Sequence, residues 1–395
     1  MIDNFNFSRI PHIIFGIGKL NELYDIIPKF GNNVLYVIGG NSLKRSGKWD
    51  EITAAMESKS INYSSVSVNN EPSPNLVDEI AANFREKNID LIIGIGGGSV
   101  TDAGKAISAM IPKNDSIKNY LEGVGTKTHD GKKIPYIAIP TTSGTGSEAT
   151  KNAVISEIGS EGFKKSLRHD NFIPNIAIID PELMIPCPAS VTAACGMDAF
   201  TQLLEAYVST KASPITDVLA YSGMKYLGKN LIPACSSGAS DVNVRAAMAY
   251  GSLMSGICLA NAGLGIVHGL ASPIGGFFDI PHGVVCGTLL GEATKMNIKK
   301  LQEQGVAGKE GLRKYAVIRA LLSEKEFNAE GKIEEYCSNL IDILDKWTKD
   351  LKIDRLGKYG IKTEDIEKLV KNAGLKNNPV NLVNKDIETI IGNRL

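Results

Sequence analysis

Four residues in the second half of the chain have side chains and spacing suited to holding a metal ion. The stretch "GMDAFTQLLEAY", Gly196 to Tyr207, sets Asp198 and Gln202 four positions apart on an expected helix, which points both side chains the same way. Further on, "GLGIVHGLASPIGGFFDIPHG" carries His268 and His282, with a Gly-Gly and a Pro between them that must fold the chain back. His268 falls on a small-residue helix, and His282 follows "DIP" at an expected helix start. Each histidine alone reads more readily as a satisfied core residue than as a ligand. Together with Asp198 they make a two-histidine, one-carboxylate set of the kind that holds a divalent metal with open positions. Gln202 offers a neutral oxygen, a weaker donor to borderline metals than imidazole, so it reads as an optional fourth ligand or a hydrogen-bonding neighbour. His12, His129 and His169 have no partner nearby in the sequence and read as surface or structural residues.

The first half carries a different chemistry. "LIIGIGGGSVTDAGKAIS" runs strand, glycine turn, helix. Gly96, Gly97 and Gly98 let a ligand approach the backbone, and Ser99 with the N–H groups opening the helix can hold a pyrophosphate at its positive end. Asp102 and Lys105 follow within the first turns. Ser99 stands where the GxGxxG pattern counted from Gly94 would have its last glycine, so a plain tight turn is the alternative. In "IPTTSGTGSEAT" a strand ends in Thr141, Thr142, Ser143, Thr145 and Ser147, hydroxyls that suit ribose, phosphate or carboxamide. Two such strand ends favour a dinucleotide over two unrelated turns. After the first strand read here, "VLYVIGGNSLKRSG" offers Gly39 and Gly40 where an NAD-selective site often places an acid. Asn41, Ser42, Lys44 and Arg45 follow. The turn predicts NADP(H) in preference to NAD(H), with a solvated turn as the bland alternative.

Strands and helices must position these groups. "NVLYVIG", "NYSSVSV", "IDLIIGIGG", "IPYIAIP" and "NIAIIDP" read as strands of a buried parallel sheet, alternating with helical stretches such as "PNLVDEIAANFREKN", where Leu76, Ile80 and Phe84 recur at helical spacing. After "IIDPELMIPCPAS" the texture becomes long, Ala/Leu-rich and strandless. Residues 1–183 therefore read as an α/β dinucleotide-binding domain and residues 184–395 as an all-helical metal- and substrate-binding domain, with Pro181, Pro186 and Pro188 at the boundary. At 395 residues, two domains is the natural expectation. Forty-three basic residues balance forty-three acidic ones, so bulk charge draws the chain neither to nucleic acid nor to an anionic membrane. No apolar stretch spans a bilayer and no signal peptide is evident. The six scattered cysteines form no CxxC pair, which predicts reduced thiols in the cytoplasm, serving as small packing residues.

"GGGSVTDAGKAIS", "PTTSGTGSEAT", "GMDAFTQLLEAY", "GLGIVHGLASPIG" and "DIPHG" resemble, in order and spacing, the motifs of the iron-containing (group III) alcohol dehydrogenases, and the likeness runs from "PHIIFGIGKL" to "NNPVNL". The resemblance implies the dehydroquinate synthase-like fold: an N-terminal dinucleotide domain, an all-α domain bearing Fe2+ or Zn2+, and a catalytic cleft between them. It places metal ligands on Asp198, His268 and His282, the phosphate loop on Gly96 to Ser99 with Asp102, the threonine turn on Thr141, Thr142 and Thr145, and a nucleotide-site lysine on Lys164. It implies an alcohol or aldehyde substrate and a homodimer or larger homo-oligomer, and the Gly39–Gly40 turn looks most like the family's NADPH-dependent aldehyde reductases and butanol dehydrogenases. Two positions depart from the pattern. Gln202 stands where another metal histidine is usual, and Ser272 stands where many members have a histidine one turn after His268. A dehydroquinate-synthase-like lyase and a non-catalytic nucleotide sensor are the alternatives; the Ala, Leu and Gly around Asp198 and His268 disfavour the first.

Overall fold

The apolar runs form a six-stranded, wholly parallel sheet in the computed structural model, which describes residues 4–324, 327–328 and 332–395. Its strands are β1 (His12–Phe15), β2 (Asn33–Gly39), β3 (Asn62–Val68), β4 (Leu91–Gly96), β5 (Tyr136–Pro140) and β8 (Ile176–Ile179), in the order β1-β8-β5-β4-β2-β3. Side chains alternate across the sheet, as the period of two demands. Leu35, Val37 and Ile92 join one core with Val77, Ile80 and Phe84, while Val34, Tyr36, Ile38, Leu91, Ile93 and Ile95 join the core on the other face. Both faces are covered by helices, among them α1 (Lys48–Ser58), α2 (Pro74–Phe84) and α3 (Gly98–Met110). α2 starts where the sequence says it should: Ser73 Oγ accepts from the Leu76 N–H at 3.2 Å, and Pro74 occupies the first turn.

Three strands were not legible. β1 is a four-residue edge strand, too short to show a period. β6 (Asn152–Glu157) and β7 (Phe163–Arg168) pair antiparallel outside the main sheet, and the charged "FKKSLR" lacks the apolar run used to recognise the others. Beyond Ile179 the described residues contain no strand. The chain continues as α4 (Ala189–Val208), α5 (Pro214–Ala234), α6 (Val242–Ala262), α7 (Ile266–Phe277), α8 (His282–Glu303), α9 (Lys309–Leu322), α10 (Ile333–Asp350), α11 (Ile366–Asn372) and α12 (Asn384–Gly392). These helices enclose a large core that includes Phe200, Leu203, Leu227, Leu253, Leu270 and Leu289. No single helix among the described residues is long and apolar enough to cross a membrane.

The sheet and the helices meet without a gap at the threonine-rich turn after β5. Gly146 has φ +60, and a side chain there would fall 2.4 Å from the Gly256 backbone on α6. Only glycine allows both the left-handed conformation and the close approach. The β6–β7 hairpin reaches the same helical unit at α7, where Gly276 packs against Phe163. Both contacts lie close in sequence to residues singled out for chemistry.

Candidate metal centre

Asp198 sits midway along α4, buried to 2% exposure. His268 stands in the first turn of α7, and His282 opens α8 after Pro281. The break between α7 and α8 folds the second helix back, so that the two imidazoles meet across a centroid separation of 5.5 Å. Asp198 Oδ1 lies 3.2 Å from His268 Nε2 and 3.7 Å from His282 Nε2. The sequence-derived set of one carboxylate and two histidines therefore converges on one point.

A fourth donor joins them. Cys286 Sγ is 3.6 Å from His268 Nε2 and 3.7 Å from His282 Nε2, and one ligand atom from each of the four residues lies within 4.8 Å of the others. The sequence reading took Cys286 for a packing residue. The missed signal is its position one helical turn after His282, which puts both side chains on one face of α8.

Glu205 was also missed, and it sets the orientation of His268. Its Oε1 accepts from the Val267 N–H at 2.7 Å, and its Oε2 meets His268 Nδ1 at 2.7 Å. With Nδ1 committed to Glu205, His268 turns Nε2 toward Asp198 and Cys286, the ring nitrogen left to meet a metal. Glu205 lies two turns after Asp198 on the same face of α4, so this pattern too was present in the sequence.

The charges show what the centre would accept. Burial would raise Asp198, but His282 and His268 overcome it and hold the carboxyl at about 2. Burial works against charge on His268 as well, yet Cys286, Asp198 and Glu205 raise it well above the ordinary imidazole range. His282 goes the other way: burial, with Lys164 and His268, pushes it down to about 4 against the pull of Asp198. Burial pushes the Cys286 thiol up to about 12. Two carboxylates thus flank the His268 imidazole in a largely buried site, an arrangement that calls for positive charge at its centre. A divalent cation fits that demand and these donors.

Gln202 occupies the turn after Asp198, but its Oε1 accepts from Ser255 Oγ on α6 at 2.8 Å. That contact ties the amide to α6, one turn of α4 away from the carboxylate of Asp198. Ser272 Oγ donates to His268 O at 3.4 Å within α7. Lys164, on β7, is paired with Glu71, which also accepts from Ser156 Oγ at 2.6 Å. His129 and His169 serve structure: the first bonds Ala109 O and the Gly131 N–H, the second accepts from the Asn171 N–H.

The remaining expected groups gather at the C-terminal ends of three neighbouring strands. Gly39 and Gly40 follow β2, Gly96 to Ser99 follow β4, and Thr141, Thr142 and Thr145 follow β5, with the Thr141 N–H bonded to Gly96 O at 2.9 Å. Asn41 and Ser42 begin the short helix after β2. Asp102 faces inward instead: its Oδ1 accepts from Ser147 Oγ at 2.5 Å and lies 3.8 Å from Lys105 Nζ. Lys105 Nζ, fully buried, donates to Ser147 O, Ser147 Oγ, Thr150 Oγ1 and Asn152 O within 3.1 Å. Two of the polar groups read as ligand-facing, Asp102 and Ser147, thus brace the threonine turn against α3.

Comparison with known proteins agrees with this geometry. Residues 11–181 match the family described as iron-containing alcohol dehydrogenase, and residues 192–395 match the C-terminal part of the Fe-containing alcohol dehydrogenase family. The long-chain-alcohol dehydrogenase 1 of Geobacillus thermodenitrificans (strain NG80-2) is 33% identical, over 97% of this chain and 94% of that protein. The NAD-dependent methanol dehydrogenase of Bacillus methanolicus is 31% identical, over 99% of this chain and 100% of that protein. The solved structure of the alcohol dehydrogenase from Oenococcus oeni superposes with a TM-score of 0.88 at 28% identity, covering 99% of this chain and 100% of that one.

Proposed function

Because the chain belongs to the iron-containing alcohol dehydrogenase family, we propose that it is an NADP(H)-preferring enzyme moving hydride between the nicotinamide and a primary alcohol or aldehyde. The observation that carries this reading is the convergence of Asp198, His268 and His282 beside the threonine turn and hairpin that join the sheet to the helices. A divalent ion held there, Fe2+ or Zn2+, supplies Lewis acidity toward the substrate oxygen.

The chain's own residues supply binding and orientation. Gly96 to Ser99, at the start of α3, receive the pyrophosphate on backbone N–H groups. Thr141, Thr142 and Thr145, one strand away, orient the nicotinamide half, and Asp102 keeps their turn in place through Ser147. Lys164, held by Glu71 beside Gly275 of α7, lies where the nucleotide approaches the metal ligands. Gly39, Gly40, Asn41 and Ser42 form the adenosine end, and the lack of a carboxylate there supports room for a 2′-phosphate. The methanol dehydrogenase relative, named for NAD, makes this preference the point most in need of measurement. The protein is read as a cytoplasmic homodimer or larger homo-oligomer, acting on a small alcohol or aldehyde without nucleic acid or membrane.

His268→Ala tests the assignment. Turnover of a short linear aldehyde should be lost while NADPH fluorescence still reports dinucleotide binding. Normal turnover in a folded variant would contradict it. Hydride transfer is favoured over the lyase and sensor alternatives because both dehydrogenase relatives align over nearly the whole chain.

A further inference from the structure

We infer that Cys286, as a thiolate, and not Gln202, is the fourth protein ligand of the metal centre. The inference rests on the assignment of Asp198, His268 and His282 as ligands and extends it to a residue type that changes the character of the site.

Three observations carry it. The first is distance. A metal–sulfur bond of about 2.3 Å and metal–nitrogen or metal–oxygen bonds of about 2.0–2.1 Å at tetrahedral angles set the edges between ligand atoms. Sulfur–nitrogen edges come to about 3.5–3.6 Å, and nitrogen–oxygen edges to about 3.3–3.4 Å. The sulfur–nitrogen separations in the structure are 3.6 and 3.7 Å, and the nitrogen–oxygen separations are 3.2 and 3.7 Å. Four edges of the tetrahedron are thus already present among side chains from three helices.

The second is convergence. Cys286 Sγ approaches the Nε2 atoms of both histidines almost equally. A buried thiol satisfied by one acceptor has no need of that symmetry, whereas a ligand in a shared coordination sphere does. His268 Nδ1 is already committed to Glu205, so its Nε2 faces the same centre as the sulfur.

The third is Gln202 itself. Its oxygen is the only atom of the side chain able to ligate, and that oxygen accepts from Ser255 Oγ at 2.8 Å. The single proton of Ser255 Oγ serves either this oxygen or Ser252 O at 2.7 Å, so the amide packs against α6 while the donor from α8 faces the two histidines.

Metal uptake would require the sulfur–hydrogen bond of Cys286 and the Nε2–H bond of His268 to break, both protons leaving to solvent as sulfur and nitrogen take the metal. The ligand set then carries two negative charges, from Asp198 and Cys286, against the two positive charges of the ion. A soft thiolate moves preference toward Zn2+ and Co2+ relative to the harder set with a glutamine oxygen.

Cobalt distinguishes the cases without relying on turnover. The protein, stripped with a chelator and loaded with one Co2+ per chain, should show a thiolate-to-cobalt charge-transfer band in the near ultraviolet. Cys286→Ser and Cys286→Ala should each lose the band, while Gln202→Leu should keep it. A wild-type protein that binds one Co2+ without the band overturns the inference and leaves the other three ligands standing. A band that survives in a folded Cys286 variant, or vanishes in Gln202→Leu, overturns it too. Failure to bind Co2+ at all would overturn this inference together with the assignment of Asp198, His268 and His282.

Discussion

Glu205 holds His268 in the tautomer that presents Nε2 to Asp198, and it does so at full burial with a second bond to the Val267 N–H. Glu205→Leu should therefore weaken metal binding by about 10- to 100-fold, as loss of an orienting carboxylate does elsewhere. Competition with a chromophoric chelator would read this directly, and unchanged affinity would show that His268 is held by packing alone. Gly39 is the position at which the proposed NADP(H) preference is tested. A Cβ there would lie 3.0 Å from Val100 Cγ2, so the fair test is Gly39→Asp combined with Val100→Ala. That pair should shift the ratio of kcat/KM for NADPH over NADH toward NADH, and an unmoved ratio would contradict the reading of this turn. Asp198, His268 and His282 were legible because carboxylate and imidazole are scarce on small-residue helices. Cys286 and Glu205 were not, since their spacings of one and two helical turns acquire meaning only once α4, α7 and α8 are known to converge.

The central strands β2, β4, β5 and β8 could be read because they are buried and their sequences run largely apolar. The β6–β7 hairpin could not: it stands outside that sheet, and "FKKSLR" shows neither an apolar run nor a clean alternation. Its importance lies in where it goes, carrying Lys164 to α7 and the metal ligands. The threonine turn beside it is fixed by Gly146, whose positive φ and contact with Gly256 exclude a side chain. Gly146→Ala should cost about 1–3 kcal/mol for the backbone conformation alone, with the clash against α6 added. Thermal unfolding should show a clear drop in Tm, and an unchanged Tm would mean that the turn is not a fixed part of the seam.

Across the whole molecule, the joint between sheet and helices holds buried ionisable groups whose charged forms cost stability. Burial raises Glu148 to about 7, and burial lowers Lys105 to about 8. A raised acid contributes stability in full below its unfolded value of about 4.5, and that contribution is lost as pH rises through about 7. A lowered lysine contributes in full above about 10.5, and its contribution is lost as pH falls through about 8. The two together leave the joint weakest between about pH 7 and 8. Glu148→Gln should accordingly raise Tm near pH 7.5 and have little effect near pH 5; an equal change at both would rule out ionisation as the cause. The central claim, that a metal ion in this joint drives hydride transfer with NADPH, is tested most directly by one assay. Reduction of a short linear aldehyde by NADPH should vanish after chelation and return when Fe2+ or Zn2+ is restored. Activity indifferent to the chelator, with the metal shown to be gone, would contradict the account.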